Sequence, residues 1–236
     1  MKLIKIFSLF FTFQTKAFNF SPKIFSKYNR FNLKEISNEE EEFKIIYPVN
    51  EIERNTNQSN LVLPKLDIMF YGQVTDESCF QLTTALNKLN DISKSNALKS
   101  NNFELQPISL HIQSYGGMLM PSFYVCDVIK HLDTPVHTYI DGYAASAATL
   151  MSVCGYKRYT TRFSKMLIHQ LSTGHSGKAQ ELKDGIDNVN LFMDNIRTIY
   201  LENSNLDLNT LNDLLLRDIW LNSTKCLEYG LIDEIL

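Results

Sequence analysis

From residue 61 onward the chain alternates short apolar runs with longer stretches whose apolar residues recur every three or four positions. The runs at 68–71, 108–112, 136–140 and 165–169 are short, β-branched or aromatic in character and bounded by Gly or polar residues, which predicts strands. Helical spacing appears at 80–89, 119–132 and 146–154; in the second of these Phe123, Val125, Cys126, Ile129 and Leu132 share one side. The stretch 178–203 sets Leu182, Ile186, Val189, Met193, Ile196 and Tyr200 at steps of three and four, an amphipathic helix of about seven turns. The polar, Asn/Ser-rich stretch 90–107 predicts a loop. Asn222 or Ser223 suits a helix N-cap, Gly230 suits the position after a helix C-terminus, and 231–236 predicts a closing strand. Repeated strand–helix units predict an α/β fold with largely parallel pairing, in one domain without a sequence-level repeat.

Composition narrows the class. The 236 residues are 44% hydrophobic and 21% charged with a net charge of -3, which suits a globular domain able to bury a core and gives no basic face for nucleic acid. Cys79, Cys126, Cys154 and Cys226 lie far apart without CxxC spacing, which predicts buried thiols in a reducing compartment and not a metal site or disulfide framework. Residues 1–34 differ from the rest. Lys2 and Lys5 precede an apolar run at 6–13, five more cations follow, and no acid occurs before Glu35. That pattern reads as a targeting leader, the alternative being a disordered N-terminus. "TKAFNF", with Phe18 after Ala17, resembles the junction of two-part leaders in algae with secondary plastids, so the plastid stroma is the expected location, with mitochondrial matrix or cytoplasm as alternatives. Residues 35–60, containing "NEEEEF", are expected to be a solvated linker, and 61–236 the folded domain. No later run is long enough to span a bilayer, so no membrane insertion of the mature chain is expected.

The candidate chemistry begins with "HTYIDGYAASAATLMSVCGY", residues 137–156. A β-like run meets Gly142 and a block of very small residues holding Ser146, a composition that permits a sharp turn. Ser146 then opens a helix beside the free amide of Ala147, as in the strand–turn–helix elbow of hydrolases, although GxSxG is absent. Taken alone, close backbone packing is the commoner reason for small residues at a helix start. A nucleophilic serine needs a base, and the base an orienting acid. His111, His137 and His175 occupy strand or loop positions and His131 ends a helix, whereas His169 closes the run "KMLIHQ", where a strand end delivers a side chain into a cleft. Asp218, beside the sole tryptophan Trp220, is the candidate acid and is expected to be partly buried; a solvated pair with Arg217 is the alternative.

Taken in order, "FYGQVTDE" (70–77), "LHIQSYGG" (110–117), "GYAASAA" (142–148), "MLIHQ" (166–170) and "RDIWLNSTKCLEYGLIDEIL" (217–236) resemble the ClpP family of Clp protease subunits, from about Leu66 to Leu236. The resemblance implies Ser146 as nucleophile, His169 as general base and Asp218 as its orienting carboxylate, with the backbone amides of Gly117 and Ala147 as oxyanion hole. It implies the ClpP/crotonase-like fold of repeated strand–strand–helix turns with a protruding handle helix at 178–203. It further implies two stacked heptameric rings of this chain or its paralogues, unfolded polypeptide substrates, and an AAA+ unfoldase of the ClpC or ClpX type. No GxxxxGK[ST] loop occurs, so ATP belongs to the partner, and no cofactor or metal is expected. The sequence departs from the family where Tyr115 replaces a proline before Gly116-Gly117, and where Leu171 replaces one after Gln170. Those departures bear on the oxyanion turn, the substrate groove and ATPase docking. Two other readings follow: a weak or inactive ClpR-like ring subunit, against which the intact Ser146, His169 and Asp218 argue, and a crotonase-type acyl-CoA enzyme, which needs no such triad.

Overall fold

The computed structural model describes residues 44–46, 65–99, 104–174 and 176–236. The leader at 1–34, His175 and, apart from 44–46, the linker at 35–60 lie outside the described residues. Within the stretch expected as linker, β1 (Lys44–Ile46) pairs antiparallel with β2 (Asp67–Tyr71). From β2 the sheet continues in parallel through β3 (Ile108–Ser114), β4 (Val136–Ala145), β5 (Lys157–Thr160) and the short β8 (Glu234–Ile235). Burial alternates along these strands: Ile68, Phe70, Ile108, Leu110, Ile112, Val136 and Ile140 are all buried, and the residues between them are half-exposed. The buried face packs under three helices, α1 (Asp76–Lys99), α2 (Leu119–His131) and α3 (Ala147–Val153), whose Leu82, Leu86, Val125, Ile129, Leu150 and Met151 complete the core. The other face carries a row of stacked rings, His111 on Tyr139 and Tyr139 on Tyr159, each pair with centroids 4.7 Å apart.

Three differences from the sequence reading have physical causes. The predicted loop at 90–107 is helical as far as Lys99, because Asn90, Ser93, Asn96 and Ala97 extend the buried stripe at steps of three and four. Two of their polar groups find partners there: Ser93 Oγ donates to Gln106 O at 2.8 Å, and Asn90 Oδ1 accepts from Thr134 N at 3.1 Å, whereas Asn96 Nδ2 is buried without a partner among the described residues. Tertiary burial overrides weak helix propensity. Second, β4 does not end at Ile140. Its register with β3 jumps from Ile112↔Ile140 to Ser114↔Ala144, and Gly142 at φ 90° accommodates the extra residues, so the strand runs on to Ala145. Third, β5, unmarked by the sequence pattern, occupies 157–160, and the strand expected at 165–169 is the three-residue β6 (Lys165–Leu167).

Beyond β6, α4 (Ala179–Glu202) stands largely in solvent over its first half and buries Met193, Ile196 and Tyr200 in its second. α5 (Leu208–Leu215), β7 (Trp220–Asn222) and α6 (Ser223–Glu228) follow. Asn222 caps α6 by accepting from Lys225 N at 2.8 Å, and Gly230 takes φ 65° just past the helix. Arg158 of β5 fastens the C-terminal strand, donating to Asp233 Oδ1 at 2.6 Å and Gly230 O at 2.7 Å. This is an α/β fold with a mostly parallel sheet and a projecting long helix. Among the described residues no helix is long and apolar enough to cross a membrane.

Candidate active site

The site is set by strand register. The two halves of β4 have different neighbours: residues 137–140 pair with β5, and residues 143–145 pair with β6 through Tyr143↔Lys165, Ala144↔Met166 and Ala145↔Leu167. Ser146 and His169 are therefore delivered beyond the same end of two parallel strands. β6 in turn pairs antiparallel with β7 through Leu167↔Trp220. Continuing that pairing two residues, His169 lies opposite Asp218. Ser146 follows β4, His169 follows β6 and Asp218 precedes β7, so three adjacent strands supply the three side chains.

Ser146 adopts φ 54° and ψ -129° and is the only non-glycine with positive φ among the described residues. Such a conformation costs on the order of 1–3 kcal/mol and persists only where its surroundings hold it. Here the Ser146 amide donates to Leu167 O at 2.9 Å, and the Ser146 carbonyl accepts from Thr149 N at 2.9 Å. The turn also needs Gly116 beneath it. A Cβ at Gly116 would lie 2.6 Å from Ala145 O, 2.8 Å from Ser146 Cβ and 3.0 Å from Ala147 N.

His169 turns Nδ1 toward Asp218, with Nδ1 to Oδ1 at 3.5 Å. That separation exceeds a well-formed hydrogen bond, and no hydrogen bond joins Ser146 to His169 among the described residues. Catalytic contacts of this kind are commonly loose without substrate and tighten when it binds. The Asp218 side chain is 82% exposed, against the expectation of partial burial. It sits between α5 and β7 with its carboxylate turned outward, and the apolar run before it buries Leu211 and Leu215 instead. No ion pair with Arg217 forms among the described residues.

The glycine turn lies against the serine. Val74 bridges it, its amide donating to Gly116 O at 2.9 Å and its carbonyl accepting from Met118 N at 2.8 Å. The amide of Gly117, between these two, and that of Ala147 make no hydrogen bond among the described residues. A cavity of about 110 Å³ brings Gly117, Ser146, Ala147 and His169 together, with Leu150, Ile196 and Tyr200 also lining it. Leu119, Leu171 and Ser172 line both this cavity and an adjoining one of about 340 Å³ whose other lining residues include Met118, Met120, Val189 and Phe192. Tyr115, expected to bear on the substrate groove, lines neither. It packs on Tyr143 at 4.3 Å and edge-on to Trp220 at 6.3 Å between centroids, so aromatic packing braces the turn where a proline would stiffen it.

The other described histidines are occupied elsewhere. His111 Nδ1 meets Asp141 Oδ2 at 2.9 Å, His131 Nδ1 meets Asp127 O at 2.8 Å, and His137 stacks on Tyr156. All four cysteines are buried free thiols. Thr149, Phe192 and the site-lining role of Tyr200 escaped the sequence reading, since an apolar or hydroxyl position on a helix shows only its periodicity until the partner helix is placed.

A family model described as Clp protease matches residues 50–236. The ATP-dependent Clp protease proteolytic subunit 1 of Chlamydia muridarum (strain MoPn / Nigg) is 32% identical over 135 residues, covering 56% of this chain and 70% of that protein. The protein of the same description from Chlamydia pneumoniae is 33% identical over 135 residues, covering 56% and 71%. That from Prochlorococcus marinus (strain MIT 9312) is 29% identical over 131 residues, covering 55% and 67%. These matches place the chain among the serine-type proteolytic hydrolases. It belongs to the Clp protease family, as a proteolytic subunit, and the inactive-subunit alternative is not favoured.

Proposed function

We propose that this chain cleaves unfolded polypeptides with Ser146 as nucleophile, His169 as general base, Asp218 as the carboxylate orienting His169, and the amides of Gly117 and Ala147 as oxyanion hole. The observation that carries the reading is a strained serine sharing one cavity with an imidazole and two backbone amides that have no hydrogen-bond partner among the described residues. With Nδ1 turned to Asp218, Nε2 of His169 is the nitrogen that takes the Ser146 proton as Oγ attacks the scissile carbonyl. The new oxyanion receives the two amides, each contributing roughly 3–4 kcal/mol by comparison with measured donors. His169 then protonates the leaving amine, and water releases the acyl group by the reverse path. The adjoining apolar cavity suits an apolar side chain next to the cleaved bond.

The working assembly is two stacked heptameric rings of this chain or its paralogues, fed by an AAA+ unfoldase of the ClpC or ClpX type that hydrolyses the ATP; the chain itself uses no cofactor. The leader at 1–34 directs it to the plastid stroma. A fluorophosphonate probe tests the chemistry: the purified chain is labelled, and Ser146→Ala and His169→Ala abolish labelling. Equal labelling of Ser146→Ala would overturn the assignment. Native mass measurement tests the rings, and a fluorescent fusion to residues 1–60 tests the destination.

A further inference from the structure

The peptide joining Ser146 to Ala147 is one rigid, conjugated unit, with the Ser146 carbonyl at one end and the Ala147 N–H at the other. That carbonyl accepts two hydrogen bonds from a single residue, the Thr149 amide at 2.9 Å and the Thr149 hydroxyl at 2.5 Å. Since the Thr149 proton is committed to the carbonyl, the contact of 2.5 Å between Thr149 Oγ1 and Tyr200 OH has the phenol as donor. The chain therefore runs in one direction, from Tyr200 O–H to Thr149 O–H to the Ser146 carbonyl. Both side chains are buried, Thr149 at 0% and Tyr200 at 2% exposure, and burial pushes the phenol well above its ordinary pKa, so its proton stays in place.

We propose that Thr149 and Tyr200 are positioning residues for the Ala147 amide, acting on its direction and its strength as an oxyanion donor. The inference rests on the proposed roles of Ser146 and Ala147. Planarity means that holding the carbonyl fixes where the N–H points. Hydrogen bonds at the carbonyl draw electron density toward oxygen and leave the N–H a better donor, and bonds in series polarise one another. A threonine hydroxyl returning to a carbonyl one turn back is ordinary helix behaviour. The phenol behind it is not, because it arrives from α4, a separate element, and its contact with Thr149 is buried. The second half of α4 thereby sets the geometry of a backbone group at the nucleophile.

Thr149→Val removes the hydroxyl and keeps the shape, Thr149→Ser keeps the hydroxyl, and Tyr200→Phe removes only the phenol oxygen. Steady-state hydrolysis of a fluorogenic peptide by the full chain reads kcat and KM separately, and fluorophosphonate labelling reads the serine. Losing an oxyanion donor outright costs 10²–10³ in kcat, so weakening one should lower kcat about tenfold in Thr149→Val and about threefold in Tyr200→Phe. KM should stay within about twofold, because the contribution arises in the transition state. Thr149→Ser should restore kcat. Should Thr149→Val fail to fold, Tyr200→Phe and Thr149→Ser decide. A wild-type kcat in Tyr200→Phe, a change in KM alone, or no rescue by Thr149→Ser overturns the inference. Labelling that survives Ser146→Ala overturns instead the active-site assignment beneath it.

Discussion

Gly116→Ala and Gly142→Ala add the same methyl group at nearly the same backbone angle, φ 91° and φ 90°, with opposite surroundings. At Gly142 nothing lies within 4 Å of the added carbon. At Gly116 it meets Ala145 O at 2.6 Å, Ser146 Cβ at 2.8 Å and Ala147 N at 3.0 Å. Both variants bear the left-handed backbone penalty of an L-residue, about 1–2 kcal/mol. Gly116→Ala alone adds overpacking, about 1–3 kcal/mol. Restoring ordinary carbon contacts requires the serine turn to retreat by roughly 0.7–1 Å. A misplacement of that size costs about 10²-fold in rate. Thermal unfolding and fluorophosphonate labelling of the two variants separate the effects. Gly142→Ala should lose a few degrees, at about 2–4 °C per kcal/mol for a chain of this size, and label at the wild-type rate. Gly116→Ala should lose two to three times as much and label about 10²-fold more slowly. Equal melting losses, or a Gly116→Ala variant labelled within threefold of wild type, would refute the account of why glycine stands under the nucleophile.

Three further outcomes follow from the geometry of the fold. Asp218→Asn should leave the melting temperature unchanged, because an exposed pair at 3.5 Å contributes at most about 1 kcal/mol, while slowing turnover by less than the ~10⁴-fold seen for a buried triad acid; unaltered turnover would remove Asp218 from the mechanism. Burial lifts the Cys79 thiol to about 11 and the Cys226 thiol to about 12, so the folded protein at pH 8 should resist iodoacetamide at both and react fully once denatured, and rapid native alkylation of either would contradict their burial. For Asp233, burial raises the carboxyl pKa but the hydrogen bonds and charge of Arg158 outweigh it, and the net shift is downward. A lowered folded pKa gives stability above the unfolded value that disappears as pH falls through the folded one. Asp233→Asn should therefore melt below wild type at pH 7, with the gap closing on acidification below pH 4; a gap independent of pH would show that the ion pair is not its source.

Periodicity made much of this fold readable. The alternating core of 108–112 and 136–140 and the long amphipathic helix depend on side-chain spacing, which the chain displays directly. α1 runs further than its residues suggest because Asn90, Ser93 and Asn96 have loop character, and only the fold shows that they are buried, with Thr134 and Gln106 as partners for Asn90 and Ser93. Ser146, His169, Gly117 and Ala147 were legible through motif order, and the structure brings them to one cavity. The exposure of Asp218 was not legible, because a neighbouring apolar run reveals which face is buried only after that face has a partner. The Tyr200–Thr149 contact spans fifty-one positions between two helices, a distance at which spacing along the chain carries no signal.

The antiparallel register of β6 and β7 also bears on which insertions and deletions the chain can tolerate. An extra residue at 216 or 217 lengthens a surface connection at little thermodynamic cost and leaves Asp218 across from His169. The same residue placed between Asp218 and Trp220 leaves every strand pair intact and moves the carboxylate one step along, where it no longer faces the imidazole. Two neighbouring length changes, indistinguishable to the folded sheet, would thus divide into one that natural variation can accept and one that silences the enzyme without unfolding it.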